Sequence, residues 1–296
     1  MDVTTLSPVK SATAWGVVCG SGAALCWALG FVAARQGVTS GLSPLVIALH
    51  RFIWPGLALL PVVAIDGLRD LGGIGWRRGI ALTVFGGLPL ALSSYLGYVL
   101  VPLGHGAVIQ PSCAALGGLL LARLVLGEPL PPRRLLGALV IVIGLAVIGA
   151  EALRTMGAHG LVGDLLFIAA GCLFAIFGTL LRRWQIAPMR AAAVTSVLSL
   201  AGLPLLWLGF DSFRAAGILE NAMQAIVQGV LAGAGAIYLF TRAVVLLGAS
   251  RAVLFPSLVP PFTLLIGYFA LGEVPSVSQL AGLVIVIVGF QLTQTA

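Results

Sequence analysis

The sequence predicts an all-α membrane protein of ten transmembrane helices, arranged as two inverted five-helix repeats with both termini cytoplasmic. Three observations lead there. The first is charge: 296 residues hold only 16 Lys or Arg and 9 Asp or Glu, 8% of the chain, against 60% hydrophobic residues. Soluble domains carry about 25% charged residues because their surfaces face water. A cytosolic enzyme, a nucleic-acid binder and a disordered scaffold are thereby excluded. The second observation is a series of solid apolar runs, and the third is an internal repeat.

A helix needs roughly 20 apolar residues to cross a hydrocarbon core of about 30 Å. Ten runs qualify: 14–35, 43–65, 79–100, 105–126, 133–150, 161–181, 188–209, 222–246, 251–271 and 278–294. None alternates in ten-residue segments as barrel strands do. The first run is too long for the apolar core of a signal peptide and matches a later span, so it reads as the first membrane helix. The longest connections are 66–78 and 210–221, leaving no room for a soluble domain. Cys19, Cys26, Cys113 and Cys172 fall inside spans without metal-ligand spacing and read as small packing residues. No motif asks for a cofactor or a metal.

The net charge of +7 sorts by side. With the N-terminus inside, Lys10, Arg69, Arg77, Arg78, Arg123, Arg133, Arg134, Arg182, Arg183, Arg190 and Arg251 fall on the cytoplasmic side. Only Arg35, Arg154 and Arg214 fall outside, while Arg51 and Arg242 lie within spans. By the positive-inside rule the surplus is an orientation signal.

The stretches 104–144 and 249–289 align at an offset of 145: Ala107-Val108 meets Ala252-Val253, Pro111-Ser112 meets Pro256-Ser257, and Leu126-Gly127-Glu128 meets Leu271-Gly272-Glu273. Gly137 meets Gly282 and Gly144 meets Gly289, two turns apart in each, which reads as close packing of the fifth and tenth spans. In the first and sixth spans Trp27 meets Phe174 and Arg35 meets Arg182. The units are 14–150 and 161–294. Five helices per unit is odd, so the second copy enters from the opposite side. Inverted repeats are a recurring build of secondary transporters, with the substrate near midplane between the halves.

With ten spans, PS…LGEP from Pro111 to Pro129, PS…LGEV from Pro256 to Val274, and the pair Arg51-Phe52, the chain resembles the drug/metabolite transporter superfamily, EamA type. Within it, the sequence is most similar to bacterial inner-membrane exporters of aromatic amino acids. The resemblance runs from about Trp15 to Gln291 and implies a cavity lined by spans one, three, four, six, eight and nine.

Several residues are candidates for transport. Pro111 and Pro256, with Pro260, remove backbone donors within helices, either as gating kinks or as static ones. Arg51, beside His50 in the second span, is costly in lipid; it reads as a structural or gating anchor, or as a direct substrate contact. Its repeat partner Thr195 carries no charge. Tyr238 and Arg242 share a helix face and suit an anion or zwitterion, with snorkelling as the other reading of Arg242. Trp27, Phe31, Tyr95, Tyr98, Phe174 and Phe177 sit at helical spacings that could hold a planar solute. Gln110, Ser112, Phe255 and Ser257 flank the paired prolines.

Acids bear on coupling. Glu128 and Glu273 end their helices, where the macrodipole disfavours anions; backbone donors or nearby arginines must offset that. Asp164 reads as lying at a helix start, and the other acids as lying in loops. The expectation is therefore facilitation, or coupling through the substrate's own charge, without a buried carboxylate. His50 reads as a packing histidine or a proton carrier. The leading function is export of small amphipathic metabolites, aromatic and some neutral amino acids, across the bacterial cell inner membrane by alternating access. The protein would act as a monomer in the lipid bilayer, with a small-molecule substrate and no nucleic acid. The alternatives are a multidrug exporter of organic cations and a channel. An enzyme is not expected.

Overall fold

The computed structural model describes residues 8–247, 252 and 255–294. Arg251 and the start of the ninth run lie outside the described residues, as do both chain ends. The described residues are helical, with no strand among them. The helices are α1 (Pro8–Thr39), α2 (Pro44–Gly67), α3 (Trp76–Gly86), α4 (Leu88–Leu100), α5 (Leu103–Val125), α6 (Pro132–Trp184), α7 (Pro188–Ser199), α8 (Phe210–Gln224), α9 (Ala236–Leu247), α10 (Val259–Leu271) and α11 (Val277–Gln294). A 3-10 stretch, Leu200–Gly209, joins α7 to α8, a π-helical stretch, Ala225–Gly235, joins α8 to α9, and a 3-10 turn, Phe255–Leu258, precedes α10.

Local chemistry sets the boundaries. Ser43 caps α2, its Oγ accepting from the Val46 N–H at 3.3 Å, with Pro44 opening the helix. The span expected over 79–100 is two helices, broken where Gly87 adopts φ −101, ψ −141. Helix α6 has 53 residues; unbroken it would extend about 80 Å. Gly157 breaks it with φ 60, ψ −142, a conformation open to glycine.

Seven helical stretches are long and apolar enough to cross a membrane, and Phe255–Leu271 and Val277–Thr293 are shorter apolar helices. One of the seven, Pro188–Leu247, covers two of the spans read from sequence. The connection expected at 210–221 is instead α8, broken at Gly217 (φ 75). Asp211 in its first turn suits the positive helix end. Asn221 Nδ2 donates to the Phe213 and Gly217 carbonyls at 2.8 and 2.7 Å, spanning the break.

The bundle buries a set of polar side chains within its apolar core and exposes large apolar ones. His105, Gln224 and Gln228 are fully buried, while Leu124, Trp207, Ile218 and Phe269 are exposed. That arrangement suits lipid, where backbone and polar side chains must be satisfied internally. Helix α1 packs against α4, α9, α10 and the π-helical stretch through small residues including Ala24, Ala28 and Ala33.

The repeat glycines meet crosswise. A Cβ on Gly137 would lie 2.7 Å from the Gly289 carbonyl oxygen, and one on Gly144 would lie 2.9 Å from that of Gly282. The reciprocal distances are 2.8 and 3.0 Å. The start of α6 and α11 therefore cross antiparallel at backbone contact, as the paired glycines implied.

Candidate functional site

Arg51 projects from α2 into the bundle against the π-helical stretch. Its Nη1 donates to Gln228 Oε1 at 3.4 Å and its Nη2 to the Ala232 carbonyl at 3.5 Å, both long bonds. Among the described residues it has no carboxylate within ion-pair reach. Tyr95 Oη donates to the same Gln228 Oε1 at 2.9 Å, and Gln228 Nε2 donates to the Gly30 carbonyl at 2.8 Å. One glutamine thus orients a guanidinium and a phenol towards each other across α1, α2, α4 and the π-helical stretch. A guanidinium held only by neutral acceptors keeps the capacity to bind a carboxylate in bidentate fashion.

The neighbouring polar groups are tied down. Ser94 Oγ donates to Gln110 Oε1 at 2.8 Å. Gln224 Nε2 donates to the Ala33 carbonyl and to Glu220, whose other oxygen accepts from Gln36. Trp54 Nε1 donates to His50 Nδ1 at 2.9 Å, so the His50 proton sits on Nε2 and is donated to Asn221 Oδ1 at 3.0 Å. A second proton on Nδ1 would face the Trp54 N–H. In this arrangement both ring nitrogens of His50 are taken, one by Trp54 and one by Asn221.

The two Leu-Gly-Glu acids find arginines in the opposite half. Glu273 pairs with Arg35 at 2.5 Å and accepts from the Leu103 N–H at 2.9 Å, capping α5. Glu128 pairs with Arg182. Arg35 and Arg182 are the residues matched by the repeat, so the pairing is exchanged between its copies. Arg133 and Arg134, the arginines next to Glu128 in the chain, make no ion pair with it among the described residues.

The expected placing of the acids is overturned: Asp66 lies in α2, Glu151 in α6, and Asp211 and Glu220 in α8, none of them in a loop. Asp164 is not at a helix start: it lies seven residues beyond the Gly157 break, inside α6, and is only 5% exposed. His105 Nδ1 is 2.9 Å from its Oδ1. The protein does contain a buried carboxylate. In the sequence, Gly163-Asp164 looks like a helix start, whereas the helix already resumes directly after the Gly157 break.

The remaining candidates are scattered. Trp27 packs beside Phe240, and Phe31 meets Tyr98 edge-on at 6.4 Å; both border the Arg51 network through α1. Tyr98 is buried against Phe167. Phe174 and Phe177 contact each other, but Phe174 is exposed, as are Tyr238 and Arg242. Phe255 packs on Gly20 of α1, and Ser257 lies in the 3-10 turn. The prolines differ in setting. Helix α5 continues past Pro111, where Ser112 Oγ bonds back to the Val108 carbonyl. Pro256 lies in the 3-10 turn and Pro260 at the start of α10. Matching sequence positions therefore do not produce matching kinks: once α5 has skipped the single bond Pro111 cannot donate, its other bonds carry it through.

Sequence reasoning missed Asn221, Gln224, Gln228, His105 and Asp164. The first three stand at i, i+3 and i+7 within an apolar run, and that polar stripe on one face was the available signal.

An apolar multi-pass helical bundle with polar side chains and an arginine turned inward is a build suited to membrane transport. The EamA-like transporter family matches the chain over residues 14–150 and 161–294. The chain belongs to that family. It is also 27% identical over 274 residues to an uncharacterized transporter of Archaeoglobus fulgidus, covering 90% of this chain and 94% of that one. A protein of known crystal structure shares its fold with a TM-score of 0.64 at 18% identity, over 96% of each chain.

Proposed function

We propose that the protein is a secondary transporter that exports small amphipathic metabolites, aromatic amino acids foremost and some neutral ones, across the bacterial inner membrane by alternating access. In this reading the chain crosses ten times, as units 14–150 and 161–294 of opposite topology, with both termini cytoplasmic, and works as a monomer. The glycine breaks at Gly157 and Gly217 support the crossing count, since they divide helical runs of 53 and 60 residues, Pro132–Trp184 and Pro188–Leu247, each too long for one crossing. The exchanged ion pairs and the crosswise glycines support the inverted relation of the units.

The observation that carries the substrate class is Arg51, a guanidinium inside the bundle whose bonds go to neutral acceptors, beside Tyr95 and Gln228. It would take the carboxylate of an amino acid, with Phe31 and Trp27 flanking an aromatic side chain.

The test is counterflow in proteoliposomes with radiolabelled Phe, Trp, Tyr, Thr and an organic dication. Trans-stimulated exchange of the aromatic amino acids is expected, with Arg51→Ala lowering it by about tenfold or more, the loss of one charge-assisted contact. Exchange of the dication alone would replace the substrate reading with an organic-cation exporter. Flux without trans-stimulation would make the protein a channel.

A further inference from the structure

The pair His105–Asp164 lies outside the Arg51 network and has no part in binding a carboxylate. His105 is 0% and Asp164 5% exposed. Each keeps a second polar atom, His105 Nε2 and Asp164 Oδ2, that is buried and without a hydrogen-bond partner among the described residues. So does Tyr98 Oη, whose ring meets Phe167 edge-on at 4.8 Å, one turn beyond Asp164. Leaving such groups unpaired in a low-dielectric interior is costly. Ionisable groups are retained inside membranes chiefly where they move ions or protons.

We propose that His105 and Asp164 form a proton-binding site through which transport is driven by a proton gradient, a reading that rests on the transporter function proposed above. With one proton, on Nδ1 and shared with Oδ1, the pair carries a net negative charge. A second proton, taken up on Nε2, makes imidazolium and carboxylate, which together are neutral. Burial favours the neutral pair and contact with water favours release, so a conformational change that alters access converts binding into release. One proton is gained on one side and lost on the other, and no bond besides N–H changes.

The surroundings suit this. Tyr98, from α4, packs on Phe167, one turn beyond Asp164 on α6. Helix α11 carries no titratable side chain. On α6, His159 and Arg154 are exposed, and Glu151 lies before the break. On α5, Cys113 is two turns further along. Arg35 of α1, and Glu273 beyond α10, meet at Leu103, two residues before His105, where Glu273 caps α5. The first turn of α5 therefore carries both the proton site and the Arg35–Glu273 lock, so loading one is felt at the other. Asp164 also lines a small, mostly apolar crevice with Ile109, Leu145, Leu161 and Ile168.

Two measurements test the proposal. Solid-state NMR of the full chain, labelled with ¹⁵N-histidine and reconstituted in liposomes, reports the charge of each imidazole, with His105→Asn identifying the His105 signal. A His105 ring that is imidazolium in acid-loaded liposomes and neutral in alkaline ones is expected, and a His105 ring in the same state in both overturns the site whatever solute is carried. In proteoliposomes, accumulation driven by a pH gradient is compared with counterflow of the same solute. For Asp164→Asn the gradient-driven fraction should be lost, and Asp164→Glu should restore part of it. A gradient response equal to wild type in a folded Asp164→Asn also overturns the proposal. Absence of counterflow with every amino acid in the wild type, with His105 still titrating, overturns the substrate reading and leaves the proton site standing.

Discussion

The two ends of α5 are tied by the same kinds of residue, an arginine and a Leu-Gly-Glu acid drawn from opposite repeats, yet the two ties are unlike. The helix has 23 residues, so they stand about 33 Å apart. At the Arg35–Glu273 end the side chains are 18% and 25% exposed, Glu273 also caps Leu103, and Arg35 Nη1 also donates to the Tyr98 carbonyl at 2.5 Å. At the Arg182–Glu128 end they are 55% and 36% exposed, and the contact is a simple pair at the surface. Equal sequence does not give equal energy. An ion pair sheltered by protein and shared with two backbone groups holds three helices together, whereas a solvated pair is screened and contributes little.

That contrast can be broken most severely at Glu273. Glu273→Gln removes the charge, leaves Arg35 half-buried without its partner and weakens the α5 cap. The expected loss is about 3 kcal/mol of stability, read as a lower thermal midpoint in detergent, together with strongly reduced counterflow. A midpoint equal to wild type would mean that this end is no lock.

Reversing the pair sharpens the point. Arg35→Glu with Glu273→Arg restores the ion pair but neither backbone bond, because an arginine cannot accept from the Leu103 N–H and a glutamate cannot donate to the Tyr98 carbonyl. Recovery of the charge interaction without those two bonds should leave a deficit of about 2 kcal/mol against wild type, smaller than that of Glu273→Gln alone. Full recovery would show that the two backbone bonds contribute nothing.

The smallest effect is expected at the other end. Glu128→Gln should cost less than about 1 kcal/mol, and that difference should vanish in about 1 M salt, where the screening length falls to about 3 Å. Melting the two Gln variants in parallel at low and high salt checks this. A Glu128→Gln loss as large as that of Glu273→Gln would erase the contrast.

Much of the fold was legible in the chain because lipid imposes a simple pattern. Apolar length marks the spans, and the glycines at 137, 144, 282 and 289 announced a close crossing that backbone contact requires. The candidate site was legible only in part. Arg51 stood out as a charge in an apolar run, and Arg35 and Arg182 were aligned by the repeat without any sign that each meets the other copy's acid. Asp164 was misplaced because a glycine before an acid resembles a helix start. Gln228 went unnoticed because its partners, Gly30, Arg51 and Tyr95, are over a hundred residues away in the chain.

By itself the sequence determined that this chain lives in a membrane, that it is helical, and that its halves repeat, since composition, periodicity and self-similarity are properties of the chain alone. Only the tertiary structure decided which polar groups face one another: Gln228 with Arg51 and Tyr95, His105 with Asp164, Glu273 with Arg35. Those pairings depend on helix crossings between distant segments, and in an interior without water each buried polar group must take the partner that packing brings to it.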